Sequence, residues 1–344
     1  MLSLFAALVA ASTALLILAG GFVTSTGSGL SVPDWPNTYG WFMFAFPLDN
    51  MVGGIFYEHS HRLIASTVGF LIVVLATWLW RVEPRRWVRR LGFIALAAVI
   101  TQGILGGITV LWFLPDPISI AHASLAQIVF CLTVTIALVT APGWKRGYAH
   151  DAPHAAPHTA PHDAAPTPDD GVLRALAIVT TAAVFVQIVL GATMRHTGAG
   201  LAIPDFPLAF GRLVPSAWDA KIAVHYAHRA GAGVVSLLIL AMAGHVFYHH
   251  GRRGELRRPS ILLLALLAVQ ITLGAFNVWS GLHFVINSLH VVTGGSVLVT
   301  ALAITLRAHR ARFGMDAGSA PRNPAYRDRV AGSAARNPAY RANT

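Results

Sequence analysis

Eight stretches of this chain are apolar over the ~20 residues that a helix needs to cross a hydrocarbon layer: 5–24, 54–80, 91–113, 120–141, 172–194, 222–247, 260–282 and 284–307. Runs of that length predict transmembrane helices, so the expected fold is an all-α membrane protein of eight spans. Composition points the same way. Hydrophobic residues make up 55% of the 344 and charged residues 11%, whereas a water-soluble surface needs roughly one quarter charged. A soluble enzyme is excluded. The first run is read as a span rather than a cleaved leader, because no basic segment precedes it and it continues into a glycine-rich stretch that recurs later.

Basic residues orient the spans. Twenty of the 25 Lys and Arg fall on one side, including Arg81, Arg85, Arg86, Arg89 and Arg90, then Arg252, Arg253, Arg257 and Arg258, and the tail beyond Arg307. The opposite loops carry Arg195, Arg212 and Lys221. Because basic loops remain cytoplasmic, both termini are expected in the cytoplasm and the chain in the inner (plasma) membrane. The formal charge of +11 is thus a signal of topology, and the expected partner is the lipid bilayer, with no nucleic acid.

The chain also repeats itself. Residues 26–36 read TGSGLSVPDWP and residues 197–207 read TGAGLAIPDFP, 171 positions apart. Gln102, Leu105, Gly106 and Val110 are echoed at Gln270, Leu273, Gly274 and Val278, 168 apart. A duplicated four-helix unit with an even number of spans keeps both copies in one orientation, so the two bundles should be related by a pseudo-two-fold axis along the membrane normal. The expected organisation is an N-terminal half over 1–142, a linker over 143–171, a C-terminal half over 172–307 and a basic tail over 308–344. Linker and tail compositions predict disorder. His150, His154, His158 and His162 recur every four residues in the linker, but Pro153, Pro157 and Pro161 break any helix that would align them as a metal comb. The Arg-rich tail suits anionic headgroups.

Ionisable groups inside spans are costly and are the first place to look for chemistry. The second span opens Glu58-His59-Ser60-His61-Arg62 and the sixth opens His225-Tyr226-Ala227-His228-Arg229. His61 is followed 61 residues later by His122, and His228 is followed 62 residues later by His290. One histidine pair per half, at similar depth near the outer surface, suits the two axial positions of a haem iron. A tetrahedral zinc site would want two further ligands at the same place. The only cysteine, Cys131, excludes an intramolecular disulfide and cysteine-based centres within one chain. For a single histidine near a helix end the competing reading is an interfacial hydrogen bond, which suits His59, His225, His283, His245, His249 and His250; His196 is a loop residue without an assigned role.

Arg62 and Arg229 are candidates for binding haem propionates, with snorkelling to headgroups as the alternative. Asp34 and Asp205 read as turn or capping residues, and the TGxGLxxPDxP loops as lids. Glu58 breaks the symmetry, since its mate is His225. A carboxylate beside one site alone suits proton transfer, or the orientation of a neighbouring histidine.

Taken together, the eight spans, the TGSGLSVPDWP loop, Glu58 through Arg62, His122, His228-Arg229 and His290 resemble the haem A synthase family of terminal-oxidase assembly over residues 1–310. The resemblance implies oxidation of the C8 methyl of substrate haem O to a formyl group, giving haem A. It implies that His61 and His122 hold the substrate, that Glu58 is the catalytic carboxylate, and that His228 and His290 ligate a haem B cofactor. Haem O synthase and a membrane electron donor become expected partners, with a homo-oligomer left open. Many bacterial members carry a cysteine pair in the first outer loop; Asn37-Thr38-Tyr39-Gly40 has none, which puts any thiol relay there in doubt. The alternative function is a non-catalytic bis-histidine cytochrome relaying electrons from quinol. A parallel-repeat transporter is the third class.

Overall fold

The computed structural model describes residues 1–144 and 170–310; the readings made of the linker and the tail lie outside the described residues. Among the described residues, eight helices are long and apolar enough to cross a membrane: α1 (Leu2–Ser25), α2 (Gly54–Val82), α3 (Arg86–Leu111), α4 (Asp116–Thr140), α5 (Gly171–His196), α6 (Ala220–His250), α7 (Gly254–Trp279) and α8 (Phe284–Ala308). The long α1–α2 and α5–α6 connections lie at one end of the bundle. The linker junctions at 144 and 170 lie at the other, and these ends are called the loop end and the linker end below.

Lipid reverses the soluble pattern. Phe70, Leu237 and Val234 point outward, while the centres of the bundles are filled by Ile72, Leu75, Leu79 and Ile136 in the first half and by Ile239, Met242, Leu263 and Leu298 in the second. Many hydroxyls inside the spans bond to their own helices: Thr13 donates to the Val9 carbonyl at 2.8 Å and Thr140 to that of Ile136 at 2.7 Å. In the first half α1 packs on α2 and α4, and α3 on α2 and α4; in the second α5 packs on α6 and α8, and α7 on α6 and α8.

The halves meet chiefly along α1 and α8, and along α4 against α5 and α8. The seam is close-fitting. A Cβ on Gly21 would lie 3.1 Å from Ser288 Cβ, and one on Gly295 would meet Gln127 Oε1 at 2.6 Å. Ser25 and Ser288 share a hydroxyl–hydroxyl hydrogen bond of 3.1 Å, and Arg195 Nη2 reaches across to the Gly21 carbonyl at 2.8 Å and to Ser25 Oγ at 2.6 Å.

Candidate functional site

The loops that follow α1 and α5 are folded by the residues they share. Gly27 and Gly198 take positive φ of 68° and 64°, turning the chain out of each helix. Gly29 and Gly200 are needed for space: a Cβ there would press on the Leu114 and Leu282 side chains at 3.3 and 3.1 Å. Asp34 accepts the backbone N–H groups of Tyr39 and Gly40, each at 2.8 Å, and Asp205 accepts those of Phe210 and Gly211, again at 2.8 Å. Both are turn residues, as their sequence setting predicted. Partial burial raises the Asp34 carboxyl, but the Gly40 and Tyr39 amides outweigh it and hold the group below the ordinary carboxylate range. The Gly211 and Phe210 amides do the same for exposed Asp205.

Each loop is pinned to the helix after it. Glu58, 3% exposed, accepts the Val32 N–H through Oε2 at 2.8 Å and the Arg62 Nη2–H through Oε1 at 2.6 Å. Arg62 also donates to the carbonyls of Asp34, Asn37 and Val32 at 2.7–2.9 Å. In the second half His225 Nδ1 lies 3.2 Å from the Ile203 amide nitrogen and its Nε2 3.0 Å from Arg229 Nε, a neutral imidazole accepting at one of the two, while Arg229 donates to the carbonyls of Leu208 and Ile203 at 2.8 and 3.1 Å. Val32 and Ile203, and Asn37 and Leu208, stand 171 apart, so the two anchors use the same loop positions. The arginines suggested for propionates therefore spend these donors on loop carbonyls. His59 joins the first anchor, with Nδ1 3.0 Å from Thr38 Oγ1 and its ring packed on Phe46 at 5.0 Å.

Below the anchors lie the four paired histidines. Each has the Cε1 edge of its ring against a glycine of the preceding helix, where a Cβ would stand 3.0 Å away for Gly20 and His61, 3.1 Å for Gly106 and His122, 2.9 Å for Gly191 and His228, and 3.3 Å for Gly274 and His290. Only glycine at these four positions lets the imidazoles lie flush between helices without a shift of the ring or the helix. His61 and His122 are close enough to feel each other's charge, and so are His290 and His228.

A glutamine four residues before the glycine steadies three of the rings. Gln102 Nε2 donates to the His122 carbonyl at 2.9 Å and lies 3.4 Å from its Nε2; Gln187 Nε2 donates to the His228 carbonyl at 2.7 Å and lies 3.0 Å from its Nδ1; Gln270 Nε2 lies 3.3 Å from His290 Nε2. The fourth such position, before Gly20, holds Leu16. The G-to-Q spacing was visible in the sequence for Gln102 and Gln270; the Gln187 copy and its loss at Leu16 emerge from the contacts.

These residues fit an iron porphyrin. Nδ1 of His61, His122 and His290 is buried with no hydrogen-bond partner, a costly state that ligation or a hydrogen bond to a bound group would relieve. The donors are neutral-capable imidazoles, one pair in each half, in an apolar setting, a donor set that bis-histidine ligation of haem would use. His245 and His250 belong elsewhere: read from sequence as interfacial, they converge on Asp170 at the linker end.

Comparison with known proteins agrees with this geometry. The family described as cytochrome oxidase assembly protein, COX15-CtaA, matches residues 3–303. A haem A synthase of Symbiobacterium thermophilum is 32% identical over 297 residues, 83% of this chain and 89% of its own. That of Geobacillus kaustophilus is 27% identical over 316 residues, 89% and 92% of the two chains. That of Shouchella clausii is 31% identical over 230 residues, 66% and 70%.

Proposed function

From the premise that this chain belongs to the cytochrome oxidase assembly protein family, COX15-CtaA, we propose that it is a haem A synthase that oxidises the C8 methyl of haem O to the formyl group of haem A. The observation that carries the proposal is the double set of glycine-seated histidines, each set beneath a pinned loop. Converting a methyl to a formyl adds one oxygen atom and removes four electrons. Two successive hydroxylations with dioxygen as oxidant, each drawing two further electrons and two protons and releasing one water, followed by loss of water from the geminal diol achieve this, so the enzyme needs an electron path as well as a substrate site.

His61 and His122 hold the substrate haem in the first half, and His228 and His290 hold haem B in the second. Haem B, when bound, supplies one-electron transfer. The two halves act as copies about a pseudo-two-fold axis along the membrane normal, with the linker end cytoplasmic and both sites toward the outer face; the matched anchors and the bias of basic residues support that arrangement. Glu58 is the carboxylate of the reacting site. It lies one helical turn from His61, contacts Arg62 Nη2 at 2.6 Å, and is placed to take or return a proton. Arg62 and Arg229 keep the loops closed over the sites, excluding water, and are the cations that would offer positive charge to haem propionates. Gln102, Gln187 and Gln270 fix ring orientation.

The test is pigment extraction from protein co-expressed with a haem O supply, with haems identified by mass. Haem B together with haem O, haem A or a hydroxylated intermediate is the expected result. Haem B alone would make the chain a two-haem electron carrier, and absence of haem would overturn the ligand assignment.

A further inference from the structure

At the linker end, far from the four paired histidines, three side chains converge without a role in the haem chemistry. Asp170 caps α5: its Oδ1 accepts the Leu173 N–H at 2.8 Å, which fixes the carboxylate. Its Oδ2 faces the end of α6, where His245 Nε2 lies at 2.8 Å and His250 Nε2 at 2.7 Å. One ligand atom from each residue lies within 4.8 Å of the others. Residues five apart are not neighbours on a helix surface, so a shared centre on Asp170 gathers these two rings. The site is largely enclosed, with the His250 side chain 7% exposed, His245 16% and Asp170 20%.

We propose that Asp170, His245 and His250 form a binding site for a divalent transition metal, zinc in the first instance, with water in the fourth position. The donor set argues for that class. Two imidazoles and one carboxylate suit zinc, whereas calcium and magnesium prefer oxygen donors throughout. The geometry is also near. Tetrahedral zinc with bonds of ~2.0–2.1 Å separates its ligands by about 3.3 Å, so each present Oδ2–Nε2 distance would open by only about half an ångström. Arg253, three residues beyond His250, is engaged with Glu255 Oε1 at 3.0 Å. A metal here would clamp the start of α5 to the end of α6. The proposal stands on none of the residues assigned to haem.

The experiment uses untagged, full-length protein in detergent, stripped with chelator and dialysed against Zn²⁺. A variant with His150, His154, His158 and His162 all replaced by Ala removes the other histidine cluster. This variant is expected to retain one zinc per chain, with a nitrogen and oxygen shell containing two imidazoles by X-ray absorption. Adding His250→Ala should weaken binding by about 100-fold or more with the haem spectrum unchanged. Should His250→Ala fail to fold, Asp170→Asn carries the test: Asn still caps α5 but loses the charge, and affinity should fall about tenfold. Zinc lost when only the linker histidines are replaced, zinc held unchanged in both site variants, or no zinc bound at all would each overturn the site.

Discussion

Glu58 and His225 perform the same architectural task with different chemistry. Each sits between the N–H of the loop residue at one matched position and the guanidinium of the arginine four residues on. A neutral imidazole can accept only one of those two N–H groups, yet the second loop folds onto its helix at the same positions. The carboxylate of the first half accepts both and adds an acidic group that the second half does without, and that group is what the chemistry of a reacting site can use. A second difference falls on the same half: His122, His228 and His290 each have a glutamine, while the matching position for His61 holds Leu16. The half that carries the charge also has the less constrained ring. A carrier of electrons gains from rigid ligation, and a site where a substrate must enter, react and leave gains from a ligand that can adjust.

The largest test of this contrast removes ligands half by half. His61→Ala or His122→Ala should bring haem A formation to background, a loss of about 100-fold or more, while the low-spin haem B spectrum persists. His228→Ala or His290→Ala should abolish that spectrum and, with it, turnover. If the His228 variant kept haem B and lost the substrate haem, the two halves would exchange roles.

Glu58→His gives the first anchor the chemistry of the second. It should keep both haems and the closed loop yet lower haem A formation by about 100-fold, the lower end of what a proton-transfer group contributes. Undiminished activity in this variant would leave Glu58 an anchor and nothing more. Glu58→Ala is the less informative change, because it strands Arg62 without its buried partner at a cost of about 3–5 kcal/mol.

A smaller effect is expected from exchanging the ring supports. Gln187→Leu removes the contacts with the His228 carbonyl and Nδ1, together worth about 1 kcal/mol, and should weaken haem B retention by about fivefold in a competition assay. Leu16→Gln should tighten substrate haem and slow its release. Equal retention in wild type and both variants would remove the distinction between the two sites' ligands. The smallest effect concerns pH. Asp34 and Asp205 titrate below their unfolded value of about 3.9, so they contribute loop stability above that value and lose it as pH falls through their folded values. Protection of the Tyr39, Gly40, Phe210 and Gly211 amides, measured against the intrinsic exchange rate at each pH, should be high at neutral pH and fall as pH drops below about 3.9. Protection unchanged at pH 3 would remove the two carboxylates as loop supports.

The spans were legible because lipid imposes one pattern on every residue that faces it; Gly54–Val82 and Phe284–Ala308 lie within about two residues of their expected ends. The histidine pairs were legible because duplication wrote them twice. The anchors were not. That Glu58 binds a backbone N–H 26 residues upstream depends on how the loop folds back, and neither Val32 nor Ile203 has a side chain that advertises it. Likewise, His245 and His250 look interfacial until Asp170, 75 and 80 residues earlier, is brought beside them. Glycines recur too often in spans for Gly20 or Gly191 to be singled out before the imidazole edge is seen against them.

The grip of Arg195 on Gly21 and Ser25 has a consequence for how such a molecule can be inherited. In the register of the repeat, Arg195 corresponds to Thr24, which donates to the Gly20 carbonyl of its own helix. The clasp therefore exists on one side only. Two separate, identical chains meeting about a dyad would make every contact twice, so neither could hold an arginine at this position without the other holding it too. Covalent fusion lifts that constraint: one copy can keep the clasp while the other diverges, and the same freedom allows a carboxylate to stand opposite an imidazole in otherwise matching anchors.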